Sequence, residues 1–462
     1  MDVLLIQPRH VYAPERPDVG HIYMPTSLLT AAARLLRAGQ NVSLIDENLS
    51  RCTQLLPVTG INLVGAPYVP RAIEFVGRMS RWQPEGTLLL GGQVVSGFSE
   101  DQFRRLFGVM GVNGNRDSDL ASAVGIGPGA LPAPELVSLV PAFQLLADDV
   151  MERYLAREFS FYLSQGCRYS CSFCAAVRTS RDPTTGKTSP VREIYRDLSI
   201  VDADMRYLVE RALRLGKSEL NIYLSNLDLF QTPSKLREFA RVMQGIKCAF
   251  PGCRLRMRGL SNVNSFSQVH ETDSDLIEEL VDAGLTRVGF GVDGATEHVW
   301  RAVRKPHGDY SCTDAIRICF ETYGIVPEAL MVFGHDCVDD GESMRLAGEL
   351  VRALWEKYGA HPRPHVSKGI VPGNDGWRDP KNREIVDRLV TTPSLFQVLD
   401  FTSLPSALTH PDAAFRRIVT RYYVEICEMA DTVTQYVLPE ESGLSAVELE
   451  HVRSFNQGRY DV

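Results

Sequence analysis

Short apolar runs alternate with amphipathic stretches through the first 115 residues. Strands are predicted at residues 3–7, 41–46, 61–66, 87–90 and 109–112. Helices are predicted at 26–38, 71–82 and 99–107, with Thr26 as the N-cap of the first and Gly39 as its stop signal. Buried strands that alternate with helices indicate a parallel sheet covered on both faces. A doubly wound sheet of this kind binds ligands at the carboxyl ends of its strands.

A second series of strand and helix signals begins near residue 158. Strands are predicted at 159–164, 220–225, 254–258, 286–292, 329–333 and 365–370. Helices are predicted at 205–215, 234–244, 274–283 and 343–357. Six β/α units over this length indicate a partial barrel of the (β/α) kind.

The predicted fold class is therefore α/β. A Rossmann-like, doubly wound domain occupies residues 1–115, and a partial (β/α)6 barrel occupies 158–379. Residues 116–157 form a connector rich in Gly and Pro that contains one helix of about 20 residues. Residues 380–462 are predicted to be a mainly helical C-terminal region without a readable motif.

Composition limits the kinds of protein that the chain can be. Its 462 residues are 44% hydrophobic and 23% charged, which excludes wholesale disorder and small disulfide scaffolds. The net charge of −8 argues against a dedicated nucleic-acid binder, and no apolar run has the length of a membrane span. The N-terminus lacks a basic stretch, so we expect a cytoplasmic protein with no membrane partner, whose cysteines are thiols or metal ligands.

Three of the ten cysteines are clustered on one short stretch, at Cys167, Cys171 and Cys174. Thiolates at this spacing can ligate three irons of a 4Fe–4S cluster and leave the fourth iron open for a substrate or cofactor. A zinc site is the main alternative, but zinc usually takes a fourth ligand at a recognisable spacing, and none follows.

Period-2 alternation in the predicted barrel strands separates the helix-facing side from the lumen. In 254–258, Leu255 and Met257 share one face and three arginines share the other, so at least one arginine is expected to point into the lumen. A buried arginine needs an anionic partner. The same alternation places further side chains inside: Asn221, Tyr223, Ser225, Arg287, Gly289, Gly291, Asp293, His365 and Ser367.

The motif C-x3-C-x-aromatic-C, with Phe173 as the aromatic residue, resembles the signature of the radical S-adenosylmethionine (SAM) superfamily. The resemblance covers about residues 158–375 and is supported by 282–293, Lys305, Gly334 and 371–374. It implies that SAM binds the open iron through its amino and carboxylate groups and is cleaved by one electron to methionine and a 5′-deoxyadenosyl radical. The SAM contacts implied in this chain are Phe173, Ser225, Arg258, Gly291, Asp293 and Val371. The lumen arginines could then face the SAM carboxylate, an acidic substrate, or a barrel carboxylate such as Asp293.

The N-terminal domain resembles the cobalamin-binding domain of class B radical SAM enzymes. The similarity rests on residues 25–48 and on the run Leu88 to Gln93, although the Gly-Glu-Gly-Glu of many members is replaced here by 114–119. The implied cobalamin contacts are Pro8, Thr26, Tyr68, Arg71, Gly91, Gly92, Gln93, Asn113 and Gly114. No Asp-x-His-x-x-Gly motif occurs, so no histidine is expected below the cobalt. Arg71 is the hypothesised residue there, and an arginine has no lone pair to donate.

The resemblance implies methyl transfer from methylcobalamin to an unactivated carbon of a small molecule, started by the deoxyadenosyl radical. An electron donor such as flavodoxin or ferredoxin is the expected protein partner, and no general acid or base can be assigned from the sequence. Three alternatives stay open: a cobalamin-bound cyclisation or rearrangement enzyme, a radical SAM enzyme with an empty N-terminal domain, and an iron–sulfur electron-transfer or sensor protein. Methylthiolation of tRNA is not expected, because the chain has neither a basic tail nor a second cysteine set.

Overall fold

The computed structural model describes residues 1–9, 23–127, 129–176, 179–181, 188–190, 192–306, 311–401, 403–430 and 450. Within these residues, a five-stranded parallel sheet is followed by a six-stranded parallel sheet and then by a helical segment. The predicted fold class is confirmed. None of the described helices combines the length and the apolar character that a membrane crossing requires.

The first sheet lies in the N-terminal domain. Its strands are β1 (Asp2–Gln7), β2 (Asn41–Asp46), β3 (Val58–Asn62), β4 (Thr87–Gly91) and β5 (Gly111–Asn113). Its helices are α1 (Thr26–Arg37), α2 (Val69–Trp82), α3 (Glu100–Phe107) and α4 (Asp117–Ala123). All strand pairs are parallel and the order is β2-β1-β3-β4-β5. The order reverses between β1 and β3, and open parallel sheets bind ligands at such a switch point, outside the carboxyl ends of the strands.

Three local predictions in this domain were wrong. The strand predicted at 61–66 is β3, which spans Val58–Asn62. The apolar residues Leu63 and Ala66 lie after the strand and are buried in the loop that follows it. β5 begins at Gly111, and Val109 is 94% exposed, because Gly108 adopts a left-handed φ of 69° and turns the chain at the end of α3. Pro25, and not Thr26, is the N-cap of α1.

After α4, the described residues of the connector form two short α-helices, α5 (Val140–Phe143) and α6 (Asp148–Leu155). The prediction of a single helix of about 20 residues was therefore wrong, because the chain leaves helical geometry at Ala147, whose φ and ψ are −61° and 159°. The connector is fastened to the first sheet at its carboxyl edge. Tyr154 of α6 donates a hydrogen bond of 2.7 Å to the Asp46 carboxylate at the end of β2.

The second sheet is the partial barrel. The strands of this region are β6 (Glu158–Phe161), β7 (Ser164–Gln165), β8 (Thr179–Arg181), β9 (Thr188–Pro190), β10 (Ile194–Tyr195), β11 (Glu219–Leu224), β12 (Arg254–Ser261), β13 (Leu285–Gly291), β14 (Val326–Phe333) and β15 (His361–Val366). Strands β6 and β11–β15 form the parallel sheet in the order β15-β14-β13-β12-β11-β6. The helices are α7 (Leu198–Arg214), α8 (Pro233–Ala249), α9 (Val263–Thr272), α10 (Ser274–Ala283), α11 (Glu297–Ala302), α12 (Cys312–Glu321) and α13 (Gly341–Tyr358). The short strands pair separately, β7 with β10 and β8 with β9.

The last barrel strand lies earlier in the chain than predicted. β15 spans His361–Val366 and includes Pro362 and Pro364, whereas the sequence pattern placed this strand at 365–370. β15 pairs only with β14 and is thus an edge strand, where proline is tolerated. The chain after β15 forms the loop 367–374, which carries the predicted SAM contact Val371.

The C-terminal segment joins the two domains. It comprises α14 (Asp375–Arg378), α15 (Arg383–Thr391), a 3-10 turn at Pro393–Leu399, and α16 (Ala413–Met429). Phe396 of the 3-10 turn is fully buried against Phe98 of the N-terminal domain, with ring centroids 5.9 Å apart. At the other side, the Phe401 carbonyl accepts a hydrogen bond of 2.8 Å from the backbone N–H of Val366 at the barrel edge.

Candidate functional site

The three clustered cysteines lie on one loop that follows β7, at the carboxyl end of the first barrel strands. All three are partly exposed, and the N–H of Cys174 donates to the carbonyl of Cys171 in a tight turn. Burial is the main cause that raises the pKa of the Cys167 thiol to about 12. The Tyr169 N–H lowers this pKa, and Asp228, Cys174 and Cys171 add to the rise. The thiols are therefore within electrostatic range of one another.

Barrel side chains hold the cysteine loop in place. Gln231 donates to the Gly166 carbonyl at 3.0 Å and accepts from the N–H of Arg168 at 3.2 Å. Ser172 donates its N–H to the Val303 carbonyl at 2.9 Å. These bonds tie the loop to the chain segments that follow β11 and α11.

The cysteine loop supplies three thiols as possible metal donors. Among the described residues, no three Cys, His, Asp or Glu side chains are arranged to hold a single metal ion. A 4Fe–4S cluster does not require such convergence, because each thiolate binds a different iron. The donor set on this loop thus suits the cluster better than a mononuclear zinc ion.

A buried ion pair lies next to the cysteine loop. Lys305 donates to Asp293 at 2.5 Å, and both side chains are less than 10% exposed. Burial lowers the pKa of Lys305, but Asp293 and Cys171 outweigh burial and raise it, so the ammonium stays charged. Gly291, the last residue of β13, has no side chain because a Cβ there would clash with the Lys305 ammonium.

Two histidines present polar atoms that no described residue satisfies. The Nε2 of His335 is shielded from solvent, its residue is 4% exposed, and its ring lies 5.3 Å from that of Phe173. The Nδ1 of His365 is likewise shielded and lacks a described partner. Burial lowers the pKa of both imidazoles, so both are neutral near pH 7 and can accept or donate a hydrogen bond to a ligand.

Of the three arginines that alternation placed on the lumen side of 254–258, Arg258 is the one that is largely buried. Its guanidinium binds the fully buried Glu328 carboxylate at 2.6 Å and Glu158 at 3.3 Å. Arg287 and Arg363 bind the other oxygen of Glu328, at 3.5 and 3.1 Å. The anionic partner of Arg258 is therefore a barrel carboxylate, as one of the predictions had it. The carboxylate is that of Glu328, and not that of Asp293.

Glycines line the carboxyl edge of the first sheet. Gly91 is the last residue of β4, and Gly92 follows it with a left-handed φ of 102°. Asn115 ties the next loop to this one, because its amide donates to the Gly92 carbonyl and accepts from the Gly92 N–H, both at 2.8 Å. Sequence reasoning missed Asn115, since a polar residue after a strand usually reads as a solvent-exposed turn.

The residue proposed to lie below cobalt is already paired. Arg71, in the first turn of α2, binds Glu47 at 2.6 Å, and also binds Glu74. Glu47 is 3% exposed, so this ion pair is shielded from water. Tyr68 precedes α2, and burial and the nearby Asp400 raise its pKa, so its hydroxyl stays protonated.

The other predicted contacts divide between the same two edges. Pro8, Gln93, Asn113 and Gly114 lie at the carboxyl edge of the first sheet, together with Thr26 at the start of α1. Ser225 follows β11 and donates to the Phe161 carbonyl at 3.1 Å. Val371 is 5% exposed in the loop after β15.

Comparison with known proteins gives matches at low sequence identity. No family model matches the chain. A tRNA-2-methylthio-N(6)-dimethylallyladenosine synthase from Chlorobium phaeovibrioides is 23% identical over 150 residues, which are 32% of this chain and 28% of that protein. The match therefore spans little more than a quarter of that curated relative.

Two solved structures match over most of the chain. The radical SAM methyltransferase TsrM from Kitasatospora setae, with tryptophan substrate and a SAM analogue bound, has a TM-score of 0.59 at 17% identity and covers 84% of this chain and 76% of its own. The cobalamin-dependent SAM radical enzyme OxsB has a TM-score of 0.56 at 13% identity, over 98% of this chain and 61% of its own. The chain shares its fold with these two enzymes. At these identities the likeness establishes the fold, and the chemistry has to be argued from the residues.

Proposed function

We propose that this protein is a cobalamin-dependent radical SAM enzyme that transfers a methyl group to an unactivated carbon of a small molecule. One observation carries the proposal. The cysteine loop at the carboxyl end of the partial barrel and the glycine-lined edge of the first sheet belong to domains in direct contact, so two cofactors would share one reaction chamber.

The barrel side suits a 4Fe–4S cluster with SAM. Cys167, Cys171 and Cys174 would ligate three irons and leave one for the amino and carboxylate groups of SAM. The unsatisfied Nε2 of His335, beside Phe173, supports a polar ligand at this position, since a buried nitrogen without a partner is costly. The ion pair with Lys305 fixes the orientation of the Asp293 carboxylate, which lies next to the cysteine loop.

The N-terminal side suits cobalamin. Gly91, Gly92 and Gly114 carry no side chains at the carboxyl edge of the sheet, so the backbone at these three positions could approach a large corrin ring. Arg71 would keep the lower face free of a protein ligand, because its guanidinium has no lone pair and is held by Glu47.

The target bond explains why two cofactors are needed. An unactivated C–H bond is not acidic, so a general base cannot remove its hydrogen. When bound, cleaved SAM would supply the radical that abstracts the hydrogen, and cobalamin would supply the methyl group. The chain's own residues bind and orient the reactants and exclude water, as the buried Lys305, Asp293 and His335 indicate.

The substrate class follows from charge and precedent. A net charge of −8 does not favour RNA, and TsrM was solved with tryptophan, so amino acids and other small molecules are the first probes. A flavodoxin or ferredoxin would supply the electrons. We expect the protein to act in the cytoplasm, where such donors are found.

The test is anaerobic reconstitution with iron, sulfide and hydroxocobalamin. We expect absorbance from both cofactors, and formation of 5′-deoxyadenosine from SAM once a reductant is added. Net methylation with release of S-adenosylhomocysteine would separate methyl transfer from rearrangement. Protein that binds the cluster but does not cleave SAM would support the electron-transfer alternative and refute the proposal.

A further inference from the structure

The loop after β4 touches the loop after β15 without any intervening side chain. A Cβ at Gly97 would lie 2.3 Å from the backbone N of Gly373 and 2.3 Å from the carbonyl carbon of Pro372. Gly373 itself adopts a left-handed φ of 100°. Both positions therefore require glycine, and the obstructing atoms at Gly97 are backbone atoms that cannot rotate away.

The barrel side of this contact is rigid. Asn374 is fully buried, and its side-chain oxygen accepts from the N–H of Val371 at 3.1 Å and from that of Trp377 at 2.9 Å. Its amide nitrogen donates to the Gly369 carbonyl at 3.0 Å. The loop is therefore cross-linked to itself and would transmit a displacement instead of absorbing it.

The same loop is joined to the cysteine loop. The N–H of Asp375 donates to the carbonyl of Ser172, between Cys171 and Phe173, at 3.4 Å. A Cβ on Gly373 would meet the carbonyl of Ala175, the residue after Cys174, at 3.5 Å. Three loops thus meet around Gly373. The loop after β4 is predicted to contact cobalamin, the cysteine loop to hold the cluster, and the loop after β15 to contact SAM.

We propose that the Gly97–Gly373 contact sets the distance between the cobalamin site and the SAM–cluster site, and that Gly97 is a positioning residue for the reaction. This inference rests on the proposed function. The carbon atom added in Gly97→Ala has to move from 2.3 Å to an ordinary separation of about 3.5 Å, so the domains separate by on the order of 1 Å. A misplacement of this size between reacting groups costs about a hundredfold in rate.

The experiment compares Gly97→Ala with Gly77→Ala in the reconstituted protein. Gly77 lies in the exposed face of α2, where a Cβ meets nothing within 4 Å, so it controls for the substitution itself. The first readout is spectroscopic. The reduced cluster and cob(II)alamin are both paramagnetic, and the relaxation of the cob(II)alamin EPR signal by the cluster falls steeply with their separation. We expect weaker relaxation in Gly97→Ala and wild-type relaxation in Gly77→Ala.

The second readout is a ratio of two activities. Methylation of cobalamin by SAM needs both sites, whereas 5′-deoxyadenosine formation needs only the barrel. We expect Gly97→Ala to lower the first at least tenfold relative to the second. Should Gly97→Ala not fold, Trp377→Phe, which removes the bond from the indole N–H to Gln102 and reduces the ring packing against Phe98 and Phe396, is expected to lower the same ratio by a smaller factor.

Unchanged EPR relaxation together with an unchanged ratio overturns the spacing proposal while leaving the proposed function intact. An equal fall in both activities also overturns it, because that result describes a merely structural residue. If the wild-type protein binds no cobalamin or does not cleave SAM, the proposed function fails and the spacing proposal fails with it.

Discussion

Glu328 should be the most important single charge for the stability of the barrel. Its carboxylate is fully buried, and Arg258, Arg363 and Arg287 all bind it, at 2.6, 3.1 and 3.5 Å. Glu328→Gln keeps the shape but leaves three guanidinium groups with only Glu158 to offset them. Removing one partner of a buried ion pair costs about 3–5 kcal/mol, and we expect a loss in this range.

Glu219→Gln is the matched control. Glu219 also binds two arginines of β12, Arg256 at 3.2 Å and Arg254 at 3.8 Å, but its side chain is 37% exposed. Water screens such pairs, so we expect a loss of at most about 1 kcal/mol. Urea unfolding of the metal-free protein, followed by the fluorescence of tryptophans such as Trp300 in the barrel, measures both free energies, with the m value showing that the same unfolding is compared.

The effect of Glu328 also has a defined pH dependence. Burial raises the pKa of Glu328, but Arg258 and Arg363 outweigh burial and lower it below the ordinary value of 4.5. A carboxylate with a lowered folded-state pKa stabilises the protein above the unfolded-state pKa and loses that effect as the pH falls through the folded-state value. The gap between wild type and Glu328→Gln should therefore be constant near pH 7 and shrink below about pH 4.5. A loss for Glu328→Gln no larger than that for Glu219→Gln would refute the reasoning.

Three further predictions follow from the same geometry. Cys171→Ala should abolish 5′-deoxyadenosine formation while Cys253→Ala, at a buried position away from the loop, retains it; activity in Cys171→Ala would disprove its role as a ligand. His335→Phe keeps an aromatic side chain but removes both imidazole nitrogens, Nε2 among them, and should weaken SAM binding by a factor on the order of ten in equilibrium dialysis; wild-type affinity would mean that Nε2 faces no ligand. Burial lowers the pKa of Lys368 from 10.5 to about 7, so the unfolded chain binds a proton there that the folded chain does not. Stability should rise between about pH 7 and 10, by up to about 5 kcal/mol, and Lys368→Met should flatten that slope in urea titrations; equal slopes would contradict it.

Local spacing was enough to find the cysteine loop and the lumen arginine. Three cysteines within eight residues lie close together in space whatever the fold, and the period of two in 254–258 separates Leu255 and Met257 from the arginines. Both features depend only on residues close together in the chain, and the structure has Leu255 and Met257 buried and Arg258 turned toward Glu328.

Contacts between residues far apart in the chain could not be predicted from the sequence. Glu328 is 70 residues from Arg258 in sequence, and only the order of the sheet brings the two together. Asn115 and Phe396 likewise act across the chain, one on the loop after β4 and the other on Phe98. The error in the position of β15 has a different origin. Proline argues against a central strand but is tolerated on an edge strand, and the sequence does not show which strand lies at the edge of the sheet.

The central claim is that the cysteine loop holds a cluster with one iron open to SAM. Addition of SAM to the reduced, reconstituted protein, followed by EPR and with iron counted per chain, tests this claim most directly. We predict four irons per chain and a cluster spectrum that changes when SAM is added. A cluster whose spectrum ignores SAM, or a single zinc ion in place of iron, would contradict the account.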